Sequence, residues 1–360
     1  MNVRLSSAPE YWRIPGKIRT RRLLAGAKHG TLSLFNTALA RTERPPSRRT
    51  NPLDEHPPIF ILGPPRSGTT LLMQLLVQSL NVGYLSNHHR FLYGNPALLD
   101  RVQPRKRPLD LEFNSDRGST KGAGSPWEGA DWWYRFFPRH PAYVDDLVEA
   151  FVDGEGFGRS VSSWTDQIGK SLLFKNNYAS LRLRTLTSTM PSALYIHVVR
   201  DEVDNAHSLL EARFATSGDF HDWWSMKPPG WQTALDLDPT EQVLFQIRQI
   251  HGTILNDLAS FGVQASRVFK VRYEDLCSDT HGVLKEIQAF ADDFGIRSRT
   301  ISALPRNLGR RSAVRIPHEM YATLIRNSAS SCLLENQQHP DSRPRTTEPA
   351  CPETGGGRWK

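Results

Sequence analysis

Short apolar runs alternate with longer amphipathic segments through the middle of the chain. The runs rich in β-branched and aromatic residues are predicted strands, at 59–62, 171–174, 194–199 and 268–271. Segments with helical spacing separate them, notably 72–80, 240–261 and 280–294. This alternation predicts an α/β fold in which a mainly parallel central sheet is flanked by helices on both faces. Ligands of such sheets bind at the carboxyl ends of the strands, so functional residues are expected just after each strand.

The two ends of the chain follow other patterns. Residues 17–40 carry apolar side chains at roughly helical spacing with basic residues between them, and a proline-rich basic linker follows at 44–49. From about residue 327 the chain is polar and includes a run of three glycines, which predicts a disordered tail. We therefore divide the chain into a basic N-terminal arm with its helix and linker (1–56), a central domain (57–326) and a disordered polar tail (327–360).

Charge narrows the class of partner. The chain has 360 residues and a formal net charge of +8, but residues 1–50 hold eleven basic and two acidic residues. The remaining 310 residues hold 34 basic and 35 acidic groups, so the body of the protein is not predicted to bind nucleic acid. The basic arm leaves two alternatives open, which are peripheral contact with an anionic membrane and packing on the core.

Targeting and cysteine patterns favour a cytoplasmic protein. The apolar runs are too short to cross a bilayer, and no secretory signal pattern is visible at the N-terminus. The three cysteines form neither a CxxC pair nor a Cys/His cluster, which argues against a zinc site or a disulfide framework. The sequence therefore predicts a cytoplasmic location.

The strongest local signal is the segment 63–70, with the sequence GPPRSGTT. It follows a predicted strand and opens a predicted helix, a context in which glycines allow a tight turn and backbone N–H groups converge on an anion. A Walker A loop carries lysine where this chain has Thr69, and the basic residue here is Arg66, inside the loop. The segment therefore predicts an anion site that differs from that of ATP-binding P-loop proteins.

Residues 65–70 resemble the 5′-phosphosulfate loop of sulfotransferases that use 3′-phosphoadenosine 5′-phosphosulfate (PAPS). The resemblance is to bacterial members and implies a three-layer P-loop-like fold, PAPS as the donor and no required metal. It also implies that the phosphosulfate is cradled by Arg66, Ser67, Gly68, Thr69 and Thr70.

Two later segments resemble the same family. A predicted strand ends in Arg200, and Ser208 lies eight residues further on. In the family the corresponding arginine and serine bind the 3′-phosphate. The sequence VRYEDL at 271–276 resembles a Tyr-Glu-Asp-Leu segment of the family, which places Tyr273 against the adenine.

The resemblance also suggests catalytic residues. Lys175 follows a predicted strand and matches the family lysine that neutralises charge on the bridging oxygen as the sulfuryl group leaves. Asn177 stands where some members carry histidine, so the general base stays open. Glu128 is the first choice, because SPWEG at 125–129 resembles a Pro-x-Glu segment of bacterial members that use glutamate. His88 or His89 is the second choice.

The acceptor is the least determined part of the prediction. Tryptophans cluster at 127–133 and 223–231, and they favour either an acceptor lid or ordinary core packing. The resemblance implies a nucleotide-binding transferase that moves a sulfuryl group from PAPS to a hydroxyl or amine of a small-molecule, lipid or carbohydrate acceptor. One alternative is a P-loop kinase that uses ATP. Another is an inactive nucleotide-binding relative whose basic arm contacts a membrane or nucleic acid.

Overall fold

A five-stranded, fully parallel sheet forms the centre of the protein. The computed structural model describes residues 32–47, 51–102, 113, 120–309 and 313–338. The strand order is β2-β3-β1-β4-β5, with β1 Ile59–Leu62, β2 Gly83–Tyr84, β3 Leu172–Lys175, β4 Leu194–Val199 and β5 Val268–Arg272. The predicted α/β fold with a parallel sheet is confirmed. The strand β2 was not predicted, because two residues carry no readable alternation.

Helices cover both faces of the sheet. The α-helices are α1 (32–40), α2 (Pro52–Glu55), α3 (Thr69–Ser79), α4 (Pro96–Val102), α5 (Ala130–Trp133), α6 (Asp146–Glu149), α7 (Gly154–Ile168), α8 (Leu183–Thr189), α9 (Glu202–Ser217), α10 (Pro239–Ser260), α11 (Tyr273–Ser278), α12 (Thr280–Asp292) and α13 (His318–Gln338). Short 3-10 helices lie at Asn87–Arg90, Asn177–Leu181, Trp231–Ala234 and Ala265–Arg267. The three long helices predicted from spacing correspond to α3, α10 and α12.

Alternate residues of β1 divide the core into two layers. Phe60 and Leu62 belong to a cluster that includes the aromatic residues of α5 and α7, whereas Ile59 and Ile61 belong to a cluster built on α3 and α12. All four side chains are almost fully buried. Since burial of one such side chain contributes about 1.5–3 kcal/mol, a sheet apolar on both faces is stable only between two helical layers.

The first tryptophan cluster belongs mainly to this core. Trp132 stacks on Phe174 with ring centroids 5.3 Å apart, and Trp133 meets Phe60 edge to face at 6.3 Å. Both indoles are fully buried. The lid interpretation of this cluster is therefore wrong for these two residues, because their rings pack against the sheet.

The described part of the N-terminal arm packs on the domain. The Asn36 side chain in α1 donates to the Phe91 carbonyl at 3.1 Å and accepts from the Gly94 N–H at 2.7 Å. Further along, Glu43 forms an ion pair with Arg135 at 3.0 Å. Packing on the core, one of the two alternatives for the arm, therefore holds for residues 32–47, while predicted arm residues 1–31 and 48–50 lie outside the described residues.

The C-terminal boundary differs from the sequence prediction. Helix α13 continues to Gln338, so the predicted start of a disordered tail at residue 327 falls inside a helix. Its first half packs on α9 and α10, with Leu324 fully buried. The predicted tail residues 339–360 lie outside the described residues. In the part of the chain that the structure describes, no helix combines the length and hydrophobicity needed to cross a bilayer.

Candidate active site

A cavity of about 520 Å³ lies at the carboxyl edge of the sheet. Its lining includes residues at or within four positions of the carboxyl ends of β1, β3, β4 and β5, as expected for a parallel sheet. Of the residues singled out from the sequence, the lining contains Arg66, Gly68, Thr69, Thr70, Glu128, Lys175, Asn177, Arg200, Ser208 and Tyr273. Residues from five separate segments thus meet in one place.

The loop between β1 and α3 has the backbone of an anion cradle. Arg66 and Gly68 have φ values of +68° and +100°, in the left-handed region. A Cβ on Gly68 would lie 2.2 Å from Cδ2 of Tyr273, so only glycine fits there. Gly68 gives α3 no side-chain cap, and Gly68, Thr69 and Thr70 at the start of this 11-residue helix line the cavity.

Ser67 has a different position from the one expected. Its hydroxyl donates to the Pro64 carbonyl at 2.8 Å, and the side chain is fully buried behind the loop. It does not line the cavity. The structure therefore shows Ser67 stabilising the turn and does not bring its side chain to the site.

Two arginines connect the segment 200–208, at the start of α9, to the loop between β1 and α3. The Arg66 Nε donates to the Ser208 hydroxyl at 3.0 Å, and the Arg200 Nη1 donates to the Arg66 carbonyl at 2.9 Å. The Asn205 amide supports the same loop by donating to the Pro65 carbonyl at 2.8 Å. The Arg200 Nε is buried and has no hydrogen-bond partner. An anion at this position would satisfy it.

Tyr273 occupies the space between the loop and Arg200. The Arg200 guanidinium lies 4.5 Å from the centroid of the tyrosine ring, a cation–π distance. Burial, together with Cys277 beside it, raises the pKa of Tyr273 to about 12, so the phenol stays neutral. The ring lines the cavity, as an adenine contact requires, and it also fixes the position of Arg200.

Glu128 and Lys175 form an ion pair in the lining of the same cavity, and we refer to this part of the cavity as the Glu128 end. The Lys175 side chain is only 4% exposed, and that of Glu128 is 28% exposed. The neighbouring Asn176 amide donates to the Glu128 carbonyl at 3.1 Å, so the end of β3 holds both the backbone and the carboxylate of Glu128. The first choice of base is therefore placed next to the predicted catalytic lysine.

The second choice of base lies elsewhere. His88 and His89 are on the 3-10 helix Asn87–Arg90, and neither lines the cavity. The His88 N–H donates to the Ala123 carbonyl at 3.0 Å, which fixes the orientation of the helix. The buried His89 Nδ1 accepts from the Ser86 N–H at 3.0 Å. The structure does not bring these histidines together with Lys175.

Sequence reasoning missed a further group of polar residues in the lining of the cavity. His207 and Glu211 of α9 line the cavity together with Arg315. The Arg315 N–H donates to the His207 Nε2 at 3.1 Å, and its guanidinium pairs with Glu211 at 2.8 Å. Burial lowers the pKa of His207. Helical spacing from Ser208 could have identified the α9 residues, whereas no local signal marks Arg315.

The second tryptophan cluster is divided. Trp224 lines the cavity, whereas Trp223 and Trp231 contact each other with centroids 5.7 Å apart.

Within the described ranges, no group of three or more His, Cys, Asp or Glu side chains is placed to hold a metal ion.

Comparisons with known proteins identify relatives of the chain. A model described as the Sulfotransferase family matches residues 57–293. Curated relatives include the omega-hydroxy-beta-dihydromenaquinone-9 sulfotransferases Stf3 of Mycobacterium tuberculosis and Mycobacterium bovis, each 27% identical over 256 residues. These matches cover 64% of this chain and 61% of each relative, so the chain spans about three fifths of their length.

Solved structures with a similar arrangement are also sulfotransferases. Sulfotransferase STF9 from Mycobacterium avium is 20% identical with a TM-score of 0.46, covering 78% of both chains. Sulfotransferase STF1 from Mycobacterium tuberculosis is 18% identical with a TM-score of 0.45, covering 76% of this chain and 75% of the other.

Proposed function

Since this chain belongs to the sulfotransferase family, we propose that it transfers a sulfuryl group from PAPS to a hydroxyl or amine of an acceptor. The observation that carries the proposal is the meeting of Arg66, Lys175 and Arg200 with Glu128 in one cavity at the carboxyl edge of the sheet. Three cations suit a donor with several anionic oxygens, and a carboxylate suits removal of an acceptor proton.

The residues at the loop end of the cavity fit the donor. The uncapped N-terminus of α3 and the glycine backbone at Gly68 offer N–H groups to the phosphosulfate. The Arg200 Nε, buried without a partner, offers a donor to the 3′-phosphate, together with the Ser208 hydroxyl. Tyr273 supplies an aromatic wall for the adenine.

Glu128 and Lys175 carry the chemistry. When bound, the donor supplies a sulfur–oxygen bond whose cleavage leaves a phosphate. Glu128 takes the proton of the acceptor hydroxyl as that oxygen bonds to sulfur. Lys175 donates a hydrogen bond to the departing phosphate oxygen, which keeps the electron pair of the broken bond. The ion pair between the two side chains holds both in place beforehand and opens as each meets its substrate.

We extend the proposal to an apolar acceptor. The Stf3 relatives are named for a hydroxylated quinone, and Leu71, Phe113, Trp224 and Leu308 add apolar surface to the cavity of this chain. These side chains give an alcohol on an extended apolar chain a surface to pack against. A cytoplasmic location remains a prediction.

Thermal unfolding with nucleotides tests the donor assignment. We expect adenosine 3′,5′-bisphosphate to raise the unfolding temperature of the chain, because a ligand that binds only the folded state stabilises it. ATP with magnesium should have little effect, since Thr69 replaces the lysine of a Walker A loop. Stabilisation by ATP with magnesium alone would support the kinase alternative and contradict the proposal.

A further inference from the structure

Large apolar side chains are exposed along one edge of the molecule. In α1, Leu34 is 75% exposed and Phe35 is 52% exposed, and Phe91, just after the 3-10 helix Asn87–Arg90, is 66% exposed. Asn36 joins the two segments, because its amide bonds to the backbone of both Phe91 and Gly94. We refer to Leu34, Phe35 and Phe91 as the apolar edge. Helix α4 extends this surface with the exposed side chains of Leu98 and Val102.

The charged groups around the apolar edge are asymmetric. Four arginines in these segments are exposed, at positions 41, 44, 90 and 101. The acids of the same described stretches, 32–47 and 87–102, are Glu43 and Asp100, and both bind inward partners. Glu43 pairs with Arg135 at 3.0 Å, and Asp100 accepts from the Trp164 indole at 2.9 Å. The surface is therefore both apolar and cationic.

This surface lies beside the catalytic end of the cavity. The 3-10 helix that precedes Phe91 bonds to the segment that leads into Glu128, with the Asn87 N–H donating to the Ser125 carbonyl at 3.0 Å. The Arg90 guanidinium lies 5.9 Å from the centroid of the Trp127 ring, next to Glu128 in the chain. The segment that carries Phe91 is therefore in direct contact with the segment that carries Glu128.

We propose that the apolar edge docks on an anionic lipid bilayer with the Glu128 end of the cavity turned towards the membrane. Exposed aromatic and aliphatic side chains enter the interfacial region, and each arginine near an anionic surface adds electrostatic attraction. The sequence before α1 adds seven basic residues and one acidic residue over 1–31. Docking itself does not depend on the proposed function, but its consequence does, because an apolar acceptor would then reach Glu128 from the bilayer.

Charge also decides between a membrane and a second copy of the chain. In a twofold dimer the same surface meets itself, so the four exposed arginines would face four identical arginines. That arrangement is repulsive unless acids interleave, and the acids of these segments are already bound inward. An anionic lipid surface instead supplies the opposite charge.

Vesicle co-sedimentation of the full-length chain tests docking. We expect binding to vesicles of equal parts phosphatidylglycerol and phosphatidylcholine, and much weaker binding to phosphatidylcholine alone. The double variant Phe35→Ser/Phe91→Ser should bind about tenfold less or weaker still, since two apolar side chains no longer enter the interface. The control Leu147→Ser/Phe151→Ser removes comparably exposed side chains near α6 and should bind like the unchanged chain.

The outcomes separate docking from the proposed activity. Failure of the unchanged chain to bind anionic vesicles overturns the inference, as does equal loss in both double variants. A dimer in gel filtration that only the Phe35/Phe91 variant dissociates would assign the surface to self-association and also overturn it. Stabilisation by adenosine 3′,5′-bisphosphate is measured on every variant. If it is retained while vesicle binding is lost, docking is supported and a folding defect is excluded.

Discussion

The two ends of the cavity are built in different ways. At the donor end, the proposed ligand-binding groups come from the segments 63–70 and 200–208 together with Tyr273, and part of the contact surface is the backbone of Gly68 and the start of α3. At the acceptor end, Glu128 and Lys175 are 47 residues apart in the chain and are joined by a side-chain ion pair. The difference indicates that each donor-binding segment can be recognised from its local sequence, whereas the acceptor end rests on a side-chain ion pair that no single segment encodes.

This comparison predicts that the two ends respond differently to substitution. Changes at the acceptor end should lower turnover far more than donor affinity, since Lys175 supplies only one of several contacts to the donor and Glu128 supplies none. Changes at the donor end should weaken nucleotide binding, and turnover should recover at high donor concentration.

The largest effect is expected for Lys175→Met at the acceptor end. Loss of the ammonium removes stabilisation of the departing phosphate oxygen, so we expect turnover to fall by about 10²–10³-fold. The measurement is the initial rate of transfer from labelled PAPS to a panel of long-chain alcohols and phenols.

Lys227→Met is the matched control for Lys175→Met. Lys227 lies 3.7 Å from the centroid of the Trp231 ring and does not line the cavity, so its loss should leave turnover unchanged. A Lys175→Met variant with normal turnover, or with equally reduced affinity for adenosine 3′,5′-bisphosphate, would break the division between the two ends.

Gly68→Ala should have the next largest effect, at the donor end. The new Cβ would meet the Tyr273 ring, and φ at this position is +100°, so the loop must distort at a cost on the order of 1–3 kcal/mol. We expect adenosine 3′,5′-bisphosphate to bind at least about tenfold more weakly by calorimetry. In Gly252→Ala, within α10, nothing lies within 4 Å of the added Cβ, and binding should not change.

Arg200→Gln should weaken the same ligand by about 10–100-fold, because a charge-assisted hydrogen bond contributes about 1.5–3 kcal/mol. The loss should shrink at high salt, which already screens the cation. A control, Arg184→Gln, removes an arginine that pairs with Asp146 at 2.7 Å and does not line the cavity. Equal losses in both variants would contradict a specific phosphate contact.

The smallest effect concerns His207 and acidic pH. Its pKa is lowered by burial, so the unfolded chain takes up this proton first, near its ordinary pKa of about 6.5. The stabilisation from neutral His207 is complete above that pH and is lost as pH falls, because a protonated Nε2 no longer accepts from Arg315. We expect His207→Gln to flatten the fall in unfolding temperature as pH decreases below about 6.5. An unchanged pH profile would contradict this role.

Much of the donor end could be predicted from the sequence, for a physical reason. A strand, a glycine turn and a helix N-terminus form an anion site through local geometry alone, so GPPRSGTT identifies it without tertiary information. Arg200 could also be predicted from the local sequence, because it is the charged residue that directly follows the buried apolar strand β4.

The acceptor end and the chain termini could be predicted only in part. Resemblance suggested Glu128 and Lys175 separately, but their ion pair depends on how the loop before α5 packs on β3. Nothing in the local sequence distinguishes the core indole Trp132 from the cavity indole Trp224. The polar composition predicts a tail from residue 327, whereas in the structure these residues continue α13. The helix packs against α9 and α10, and this packing cannot be read from the local sequence.

Glu128→Gln tests the central claim most directly, because it keeps the size of the side chain and an acceptor for Lys175 while removing the base. Transfer from labelled PAPS and affinity for adenosine 3′,5′-bisphosphate are measured on the same preparation. We predict donor affinity within about twofold of the unchanged chain and a loss of transfer of about 10²–10³-fold. Undiminished transfer by Glu128→Gln would contradict the assignment of Glu128 as the base and of the acceptor end as the place where the chemistry occurs.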